Sequence, residues 1–283
     1  MSSEGYIDPN FPNPGGPNDT TIIIYGYTPS IVLAALAAAV FFAAGILHLV
    51  QLFKYKTWYF STMCVGIAFE IVGYVFRSLS SQVDPYRLNW FIIQYFFIVV
   101  APVFFSAAVY TVLSVLINAT GRSHSPLPPK LILWIFITCD VISTVVQIVG
   151  AALIGVYESN QKDPSTGNNI LLAGLAFQAF SFLIFIILFS IFLFKARHVL
   201  TKVASALFFV AFVLSVVLIY LRVLFRLAET AQGLYGNLSS HEVYFGCLEF
   251  MPVGLAVVLL ALWHPGRCIG KRRVQVEQFY MGA

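Results

Sequence analysis

Residues 169–194 read NILLAGLAFQAFSFLIFIILFSIFLF, a run of 26 residues with no charged side chain, and the basic residues Lys195 and Arg197 come next. An α-helix rises 1.5 Å per residue, so about 20 apolar residues cross a hydrocarbon core about 30 Å thick. This stretch therefore predicts a membrane-spanning helix that ends at a basic segment.

The rest of the chain repeats this arrangement. Of its 283 residues, 59% are hydrophobic and 10% are charged, and the mean hydropathy is +0.86, a composition too apolar for a water-soluble globule. The sequence predicts an all-α, polytopic membrane protein with seven transmembrane helices. The predicted spans are residues 29–53, 59–80, 89–117, 131–155, 169–194, 203–228 and 243–263.

Basic residues are concentrated in alternate connecting segments. Eleven of the 16 Lys and Arg residues follow the first, third, fifth and seventh spans. Cytoplasmic loops carry the excess of Lys and Arg, so we expect the N-terminus outside and the C-terminus in the cytoplasm. The eleven residues are Lys54, Lys56, Arg122, Lys130, Lys195, Arg197, Lys202, Arg267, Lys271, Arg272 and Arg273.

The spans divide the chain into three regions. Residues 1–27 are rich in Pro, Gly, Asn and Asp and lack the basic and apolar segments of a signal peptide, so we expect a disordered extracellular tail. Residues 28–265 form the predicted seven-helix membrane domain, and residues 266–283 a basic cytoplasmic tail. Two glycosylation sequons, at Asn18 and Asn237, fall on the predicted outer side.

Seven ionisable side chains lie within the spans or at their outer ends. On insertion scales, a charge at the bilayer centre costs roughly 2.5–3.5 kcal/mol, so we expect these groups to face one another or water. Residues seven apart on an α-helix differ by only about 20°, and several of the seven share such stripes. They are Glu70, Arg77, Asp140, Arg222, Arg226, Glu229 and Glu249.

With the predicted orientation, the polar residues also cluster by depth. Most of them fall in the outer half of the membrane, and Glu70 and Asp140 fall near its midplane. We expect an outward-opening polar pocket walled by the second to seventh spans, above a largely apolar inner half. The candidate ligand-binding residues are Glu70, Arg77, Gln94, Asp140, Gln147, Gln178, Arg222, Arg226, Glu229 and Glu249.

Two interpretations of the buried charges stay open. The carboxylates would pair with the arginines and hold the helices together, or some of them would contact a ligand directly. Four carboxylates against three arginines leave one acid to be protonated, hydrated or matched by a cationic ligand, which points to an amphiphile that bears an amine. The acids counted are Glu70, Asp140, Glu229 and Glu249.

Two prolines lie within predicted spans. Pro102 and Pro252 remove backbone hydrogen bonds there and are expected helix hinges.

The sequence carries no recognisable catalytic or cofactor motif. It has no G-x-x-x-x-G-K-[ST] loop, so the chain would not drive transport by hydrolysing ATP itself, and it has no G-x-S-x-G elbow. The histidines lie in loops or near span ends, which is typical of interfacial side chains rather than metal or haem ligands. We expect no enzyme activity, no metal, no cofactor and no nucleic-acid partner. The histidines are His48, His124, His198, His241 and His264.

An ordered series of motifs resembles the fungal lipid-translocating exporter family. The series begins with Glu70-Ile71-Val72-Gly73-Tyr74-Val75-Phe76-Arg77 and closes with His264-Pro265-Gly266, and the resemblance covers about residues 25 to 268. The motif residues between them are Gln94, Ala101, Pro102, Tyr110, Asp140, Ser143, Gln147, Gly150, Gly174, Leu175, Gln178, Arg222, Phe225, Arg226, Glu229, Glu242 and Glu249.

The resemblance implies a seven-span protein of the fungal plasma membrane that handles sphingoid long-chain bases, aminosterols or other toxic amphiphiles. The leading hypothesis is a transporter of an amine-bearing lipid, in which Glu70 or Glu249 would receive the ammonium group while the acyl chain stays in lipid between helices. A seven-span lipid receptor or sensor is the alternative, because an outward pocket and basic inner loops suit both functions. The expected partners are membrane lipids and the amphiphile, and the oligomeric state stays open.

Overall fold

A computed structural model of the chain describes residues 6–11, 19–20, 22–159, 163–233 and 236–269. The sequon residue Asn18 and the basic residues 271–273 lie outside these ranges, whereas Asn237 is exposed in the turn before the seventh span. The described part of the chain is helical, with one isolated β-bridge between Asp19 and Arg87 and no strand, which confirms the all-α class.

Seven helical segments of the described chain are long and apolar enough to cross a membrane, which confirms the predicted number of spans. The first six are α1 (Ile31–Tyr55), α2 (Ser61–Gln82), α3 (Leu88–Thr120), α4 (Pro129–Ser159), α5 (Ser165–Val203) and α6 (Ala206–Ala231). The seventh span, Glu242–Cys268, consists of α7 (Glu242–Tyr244), a π-helical turn (Phe245–Phe250), α8 (Met251–Leu262) and α9 (Pro265–Cys268).

The fifth helix is longer than its apolar stretch predicts. It continues past residue 194 to Val203, and its 39 residues correspond to about 58 Å, nearly twice the thickness of the hydrocarbon core. Its last turns carry Lys195, Arg197 and Lys202. The helix therefore leaves the apolar layer before it ends, and the apolar run marks the limit of the membrane rather than the limit of the helix.

The third helix lies at the centre of the bundle. In its most apolar window 67% of the residues are buried inside the protein, against 28% in the corresponding window of α4. α3 contacts α2, α4, α5 and α6, while α8 packs against α6 and α1 and so closes the ring. Large apolar side chains on the outer helices, such as Phe42 and Trp134, are exposed to the surrounding lipid.

The connecting segments divide between two faces because consecutive spans alternate in direction. The N-terminal face carries residues 22–30 and 83–87 and the turn before the seventh span, and the C-terminal face carries residues 121–128 and 264–269. Most described basic residues lie at the C-terminal face, which is the asymmetry that the positive-inside rule uses. These residues are Lys54, Lys56, Arg122, Lys130, Lys195, Arg197, Lys202 and Arg267.

Part of the segment before α1 packs onto the N-terminal face. Ile23 and Tyr25 are buried and form a small apolar cluster with Tyr86. The backbone N–H of Thr20 donates a hydrogen bond to the Tyr86 carbonyl oxygen at 3.0 Å. A disordered tail was expected over residues 1–27. The described residues around Ile23 differ from that expectation, because they are buried against Tyr86 and so are removed from water.

Glycines allow α4 and α5 to approach closely. A Cβ atom at Gly150 would lie 2.4 Å from the backbone nitrogen of Leu171, and one at Gly174 would lie 3.0 Å from the carbonyl oxygen of Ser143. Small residues at such contacts let helix backbones meet in membranes, where lipid tails remove the usual hydrophobic driving force between helices. The two helices therefore pack through their backbones at this point.

We expect Gly150→Ala to lower the free energy of unfolding by about 1–3 kcal/mol, because the added methyl group would overlap backbone atoms that cannot rotate away. Gly155→Ala, on the same helix, is the matched control, since a Cβ there would meet no described atom within 4 Å. Unfolding by SDS titration in mixed micelles measures both variants. Equal stability of the two would contradict the close contact.

Candidate functional site

A cavity of about 110 Å³ opens at the N-terminal face. This volume holds several water molecules or a small polar headgroup, whereas pockets for whole drug-sized ligands are about 300–1,000 Å³. Four of the candidate ligand residues line it, namely Arg77, Gln94, Arg226 and Glu229. The aromatic rings that line it are those of Tyr25, Tyr27, Phe91, Tyr95 and Phe245.

Arg77 of α2 is enclosed at the side of this cavity, with 1% of its surface exposed. Its Nη2 donates hydrogen bonds to Glu242 Oε1 at 2.7 Å and to the Tyr27 hydroxyl at 2.9 Å, and its guanidinium lies 4.1 Å from the ring centroid of Phe245. Glu242 also accepts a hydrogen bond of 2.9 Å from the backbone N–H of Ser30. The ion pair thus joins α2, the seventh span and the start of α1.

A second ion pair lies deeper between α6 and the seventh span. Arg222 and Glu249 are each 2% exposed, and Arg222 donates from Nε at 2.9 Å and from Nη2 at 2.6 Å to Glu249 Oε1. One turn further along α6, Arg226 Nη1 lies 2.6 Å from Glu229 Oε2, and Arg226 Nε lies 3.8 Å from Glu249 Oε2. Arg226 therefore links the cavity wall to the buried pair.

Pro102 supplies a further acceptor to Arg222. A proline has no backbone N–H, so the carbonyl oxygen four residues earlier, that of Ile98, has no helical donor at that position. Arg222 Nη2 donates to this oxygen at 2.9 Å. α3 continues as a helix through Pro102, and the hinge expected there stays a prediction.

The helix before Pro252 is widened instead. Residues Phe245–Phe250 form a π-helical turn, and the N–H of Met251 donates to the carbonyl oxygen of Gly246, five residues earlier. Such turns often occur at functional sites, and a proline ring clashes with the carbonyl group four residues before it in a regular helix. The turn contains Glu249 and presents it to Arg222.

Glu70 lies below the cavity on the same stripe of α2 as Arg77. It is 2% exposed, and none of the ion pairs among the described residues includes it, although the charges of Arg222, Arg226 and Glu249 act on it. Seven residues of helix place it about 10 Å deeper than Arg77.

An aromatic layer separates Glu70 from the cavity. Tyr74 is fully buried on the same stripe of α2, and its ring lies 5.7 Å from that of Phe41, 5.8 Å from that of Phe250 and 6.3 Å from that of Phe245. Of these rings, Phe245 also lines the cavity.

The charge count around this network is unequal. Three arginines face four carboxylates, but the membership differs from the sequence-based count, because Arg77 pairs with Glu242 and Asp140 lies elsewhere. Every arginine in the network has a carboxylate partner, and Glu70 is the acid without one. Glu249, the alternative candidate for the surplus acid in the sequence analysis, forms an ion pair with Arg222. The four acids are Glu70, Glu229, Glu242 and Glu249.

Three of the candidate residues form a separate polar group between α3, α4 and α5. Asp140 accepts a hydrogen bond from the Tyr110 hydroxyl at 3.0 Å, and Gln147 Nε2 donates to Gln178 Oε1 at 2.9 Å. None of these residues lines the cavity, and no described residue of α4 does so. The expected participation of the fourth span in the pocket is therefore wrong, because the polar stripe of α4 faces α3 and α5.

Two histidines are more deeply buried than their positions near span ends suggest. His48 is 1% exposed and His264 is fully buried, and their ring centroids lie 5.8 Å apart near the C-terminal face. A ring nitrogen of His48 lies 3.0 Å from the Val257 carbonyl oxygen, and His264 Nδ1 accepts from the Gly266 N–H. No three His, Cys, Asp or Glu side chains in the described ranges form a group that would hold a metal ion.

The sequence analysis missed the tyrosines at the mouth of the cavity. The Tyr25 hydroxyl donates to Gln94 Oε1 and lies 3.1 Å from the Ser80 hydroxyl. Burial raises the pKa of Tyr25 to about 12, so this hydroxyl stays protonated at physiological pH. Tyr95 lies beneath the guanidinium of Arg226 at 4.9 Å. The signal for Tyr25 was the apolar run Ile22-Ile23-Ile24, which is unusual in a disordered tail.

Comparison with known proteins gives relatives over most of the chain. The sphingoid long-chain base transporter RSB1 of Saccharomyces cerevisiae is 31% identical over 259 residues, which cover 78% of this chain and 67% of that protein. Protein RTA1 of the same yeast is 27% identical over 86% of this chain and 84% of its own length. The probable lipid transporter atnI of Emericella nidulans is 26% identical over 87% of this chain and 68% of its own length. No solved structure matches the chain.

A family model agrees with these relatives. The model described as RTA1 like protein matches residues 63–272, from the second span to the segment after the seventh. The match includes Glu70, Asp140, Arg222 and Glu249 and confirms the family resemblance of the sequence motifs. The chain belongs to the RTA1-like family.

Proposed function

We propose that this protein is a transporter of amphiphilic lipids, foremost sphingoid long-chain bases, and that it admits the amine-bearing headgroup through the cavity at the N-terminal face. The observation that carries the proposal is the surplus carboxylate of Glu70, which lies below a cavity of headgroup size in a network where every arginine is already paired. The names of the relatives support lipid transport, and none of the three relatives reported is named as a receptor.

The size of the cavity determines what part of the lipid it would take. A volume of about 110 Å³ suits an ammonium group with its neighbouring hydroxyls but not an acyl chain. The chain would remain in the bilayer along the exposed apolar surfaces of the helices. The rings of Tyr25, Tyr27 and Tyr95 at the wall already pack against the guanidinium groups of Arg77 and Arg226, so a cationic headgroup would depend on the carboxylates rather than on these rings.

Two carboxylates would receive the ammonium group in turn. Glu229 is partly buried at the cavity wall, with 16% of its side chain exposed, and would make the first contact with the ammonium group. Glu70 would make the second, once the layer of Tyr74 and Phe245 has moved aside. The headgroup would then lie near the middle of the membrane, which a headgroup has to cross when a lipid is transferred between leaflets.

The remaining features of the proposal concern location. We place residues 1–27 outside, the membrane domain over residues 28–265 and residues 266–283 in the cytoplasm, in a plasma membrane. The basic residues of the C-terminal face support this orientation. Glycosylation at Asn18 and Asn237, a non-enzymatic role and the ligand roles of the seven candidate residues outside the polar group of Asp140, Gln147 and Gln178 are part of the same proposal.

We expect the purified protein, reconstituted into phosphatidylcholine vesicles, to move a fluorescent sphingoid base between leaflets faster than protein-free vesicles do. A fluorescent phosphatidylcholine is the comparison, because its zwitterionic headgroup exceeds the cavity volume and already carries an anion. Dithionite quenching of the outer leaflet measures both probes. Binding of the base without any leaflet exchange would contradict transport and favour the receptor alternative.

A further inference from the structure

We infer that Asp140 is a proton-binding site and that a proton moving through it drives the lipid transport proposed above, on which this inference rests. The site lies between α3, α4 and α5 and is separate from the arginine and glutamate network. It contains a buried carboxyl group, a tyrosine hydroxyl and no cation.

The surroundings of the carboxyl group favour a bound proton. Asp140 is 1% exposed, its Oδ2 accepts the hydrogen bond from Tyr110, and its Oδ1 has no hydrogen-bond partner among the described residues. None of the four ion pairs of the described chain includes it. Burying an ionised carboxylate without a cation is strongly unfavourable, and a proton on Oδ1 removes that charge.

None of the described groups around Asp140 is a cation that would balance the charge of its carboxylate. α3 contributes Tyr110, and Cys139 of α4 is the other titratable group beside that tyrosine. α5 contributes the rings of Phe182 and Phe185, which lie 5.9 Å and 4.5 Å from the Tyr110 ring. Ser106, one turn before Tyr110 on α3, is buried beside the Tyr110 hydroxyl, and the buried hydroxyl of Ser181 on α5 has no hydrogen-bond partner among the described residues. Buried hydroxyl groups are therefore present on both helices that pack against α4.

The third helix connects this site to the ion-pair network. Tyr110 holds Asp140, and Ile98 on the same helix holds Arg222 through the carbonyl oxygen that Pro102 leaves free. The two contacts are about 18 Å apart along the axis of α3. A change in the Tyr110 contact on protonation would therefore act on the helix that positions Arg222, which couples the two sites through a shared element.

The proton step is balanced without a further reactant. A hydronium ion reaching the site from one face of the membrane gives its proton to the Asp140 carboxylate, which forms an O–H bond and leaves water. After α3 has changed position, that O–H bond breaks and the proton passes to water on the opposite face. Tyr110 keeps its own proton throughout, and its hydrogen bond is stronger to the Asp140 carboxylate than to the protonated acid, which is the change that acts on α3.

The test uses the full-length protein in phosphatidylcholine vesicles with a pH gradient of one unit and a fluorescent sphingoid base. The base is used as its permanently charged N-trimethyl derivative, because a free amine would reach the same ratio across the gradient by passive diffusion of its neutral form. With one proton exchanged per base, this gradient supports about a tenfold ratio of base across the membrane at steady state. Protein-free vesicles measure the passive redistribution of the amine. Asp140→Asn imitates the protonated acid at constant shape, and Asp163→Asn makes the same change at an exposed loop acid.

We expect a gradient-driven ratio and a matching change in a lumenal pH dye for the wild type and for Asp163→Asn. For Asp140→Asn we expect base binding to remain and the gradient-driven ratio to fall to that of protein-free vesicles. A wild type that moves the base equally fast with and without the gradient, with no change in lumenal pH, would overturn the proton site and leave the transporter proposal standing. A gradient response in Asp140→Asn equal to the wild type would also overturn it. Absence of any base movement in the wild type would instead remove the transporter proposal.

Discussion

Glu70→Gln is expected to abolish resistance of cells to added sphingoid base while the protein still reaches the membrane. Glutamine keeps the shape of the side chain and removes its charge, so an ammonium group would lose its deeper anionic partner. Removing one partner of a buried charge pair costs about 2–5 kcal/mol, which corresponds to a fall in affinity of roughly 30-fold or more. Growth on a series of base concentrations measures resistance, and binding of a fluorescent base to the purified protein measures affinity.

The stability of the same variant separates this role from a structural one. Because Glu70 belongs to no ion pair in the described chain, its neutralisation should not lower the unfolding temperature in detergent. Glu70→Asp, which keeps the charge on a shorter side chain, is the comparison and should retain part of the resistance. Full resistance in Glu70→Gln at normal surface abundance would rule out Glu70 as the ammonium partner.

Arg222→Met is expected to lower the free energy of unfolding by about 3–5 kcal/mol. The substitution leaves the Glu249 carboxylate buried without its nearest cation, and it leaves the Ile98 carbonyl oxygen without a donor. In the double variant with Glu249→Leu, most of this loss should be recovered, because a pair of apolar side chains replaces the pair of charges. The residual deficit should be about 1–3 kcal/mol, the penalty of one unpaired buried carbonyl group.

SDS titration in mixed micelles of the wild type, both single variants and the double variant gives the coupling energy of the pair. Arg122→Met is the matched control, because Arg122 is exposed at the C-terminal face. We expect it to leave stability unchanged. If the two single changes simply add in the double variant, the two side chains do not interact as the structure describes.

The spans were predictable because they depend on chain composition alone. A bilayer selects runs of about 20 apolar residues, and the predicted limits agree with α1, α2 and α6 to within about three residues. α5 is the exception, since a helix can continue through the headgroup layer after its apolar run has ended. The grouping of Glu70 with Arg77 on one stripe was also predictable, because it follows from the helical repeat.

The pairing between helices was not predictable in the same way. The helical repeat shows which side chains of one helix share a face. It does not show how far each helix is rotated about its axis, and so it does not show which neighbouring helix that face contacts. Arg77 could be placed on its stripe, but its partner Glu242 lies 165 residues away, and only packing brings them together. For the same reason the polar stripe of α4 was assigned to the pocket, although glycine contacts hold it against α5.

The contact between Arg222 and the Ile98 carbonyl oxygen also has a consequence for biogenesis. The two residues are 124 positions apart in the chain. At 5–20 residues per second, synthesis takes about 6–25 s to proceed from one to the other. Throughout that interval the Ile98 carbonyl oxygen lacks the donor that the finished protein supplies, and this contact between the third and sixth segments forms only after Arg222 has been synthesised.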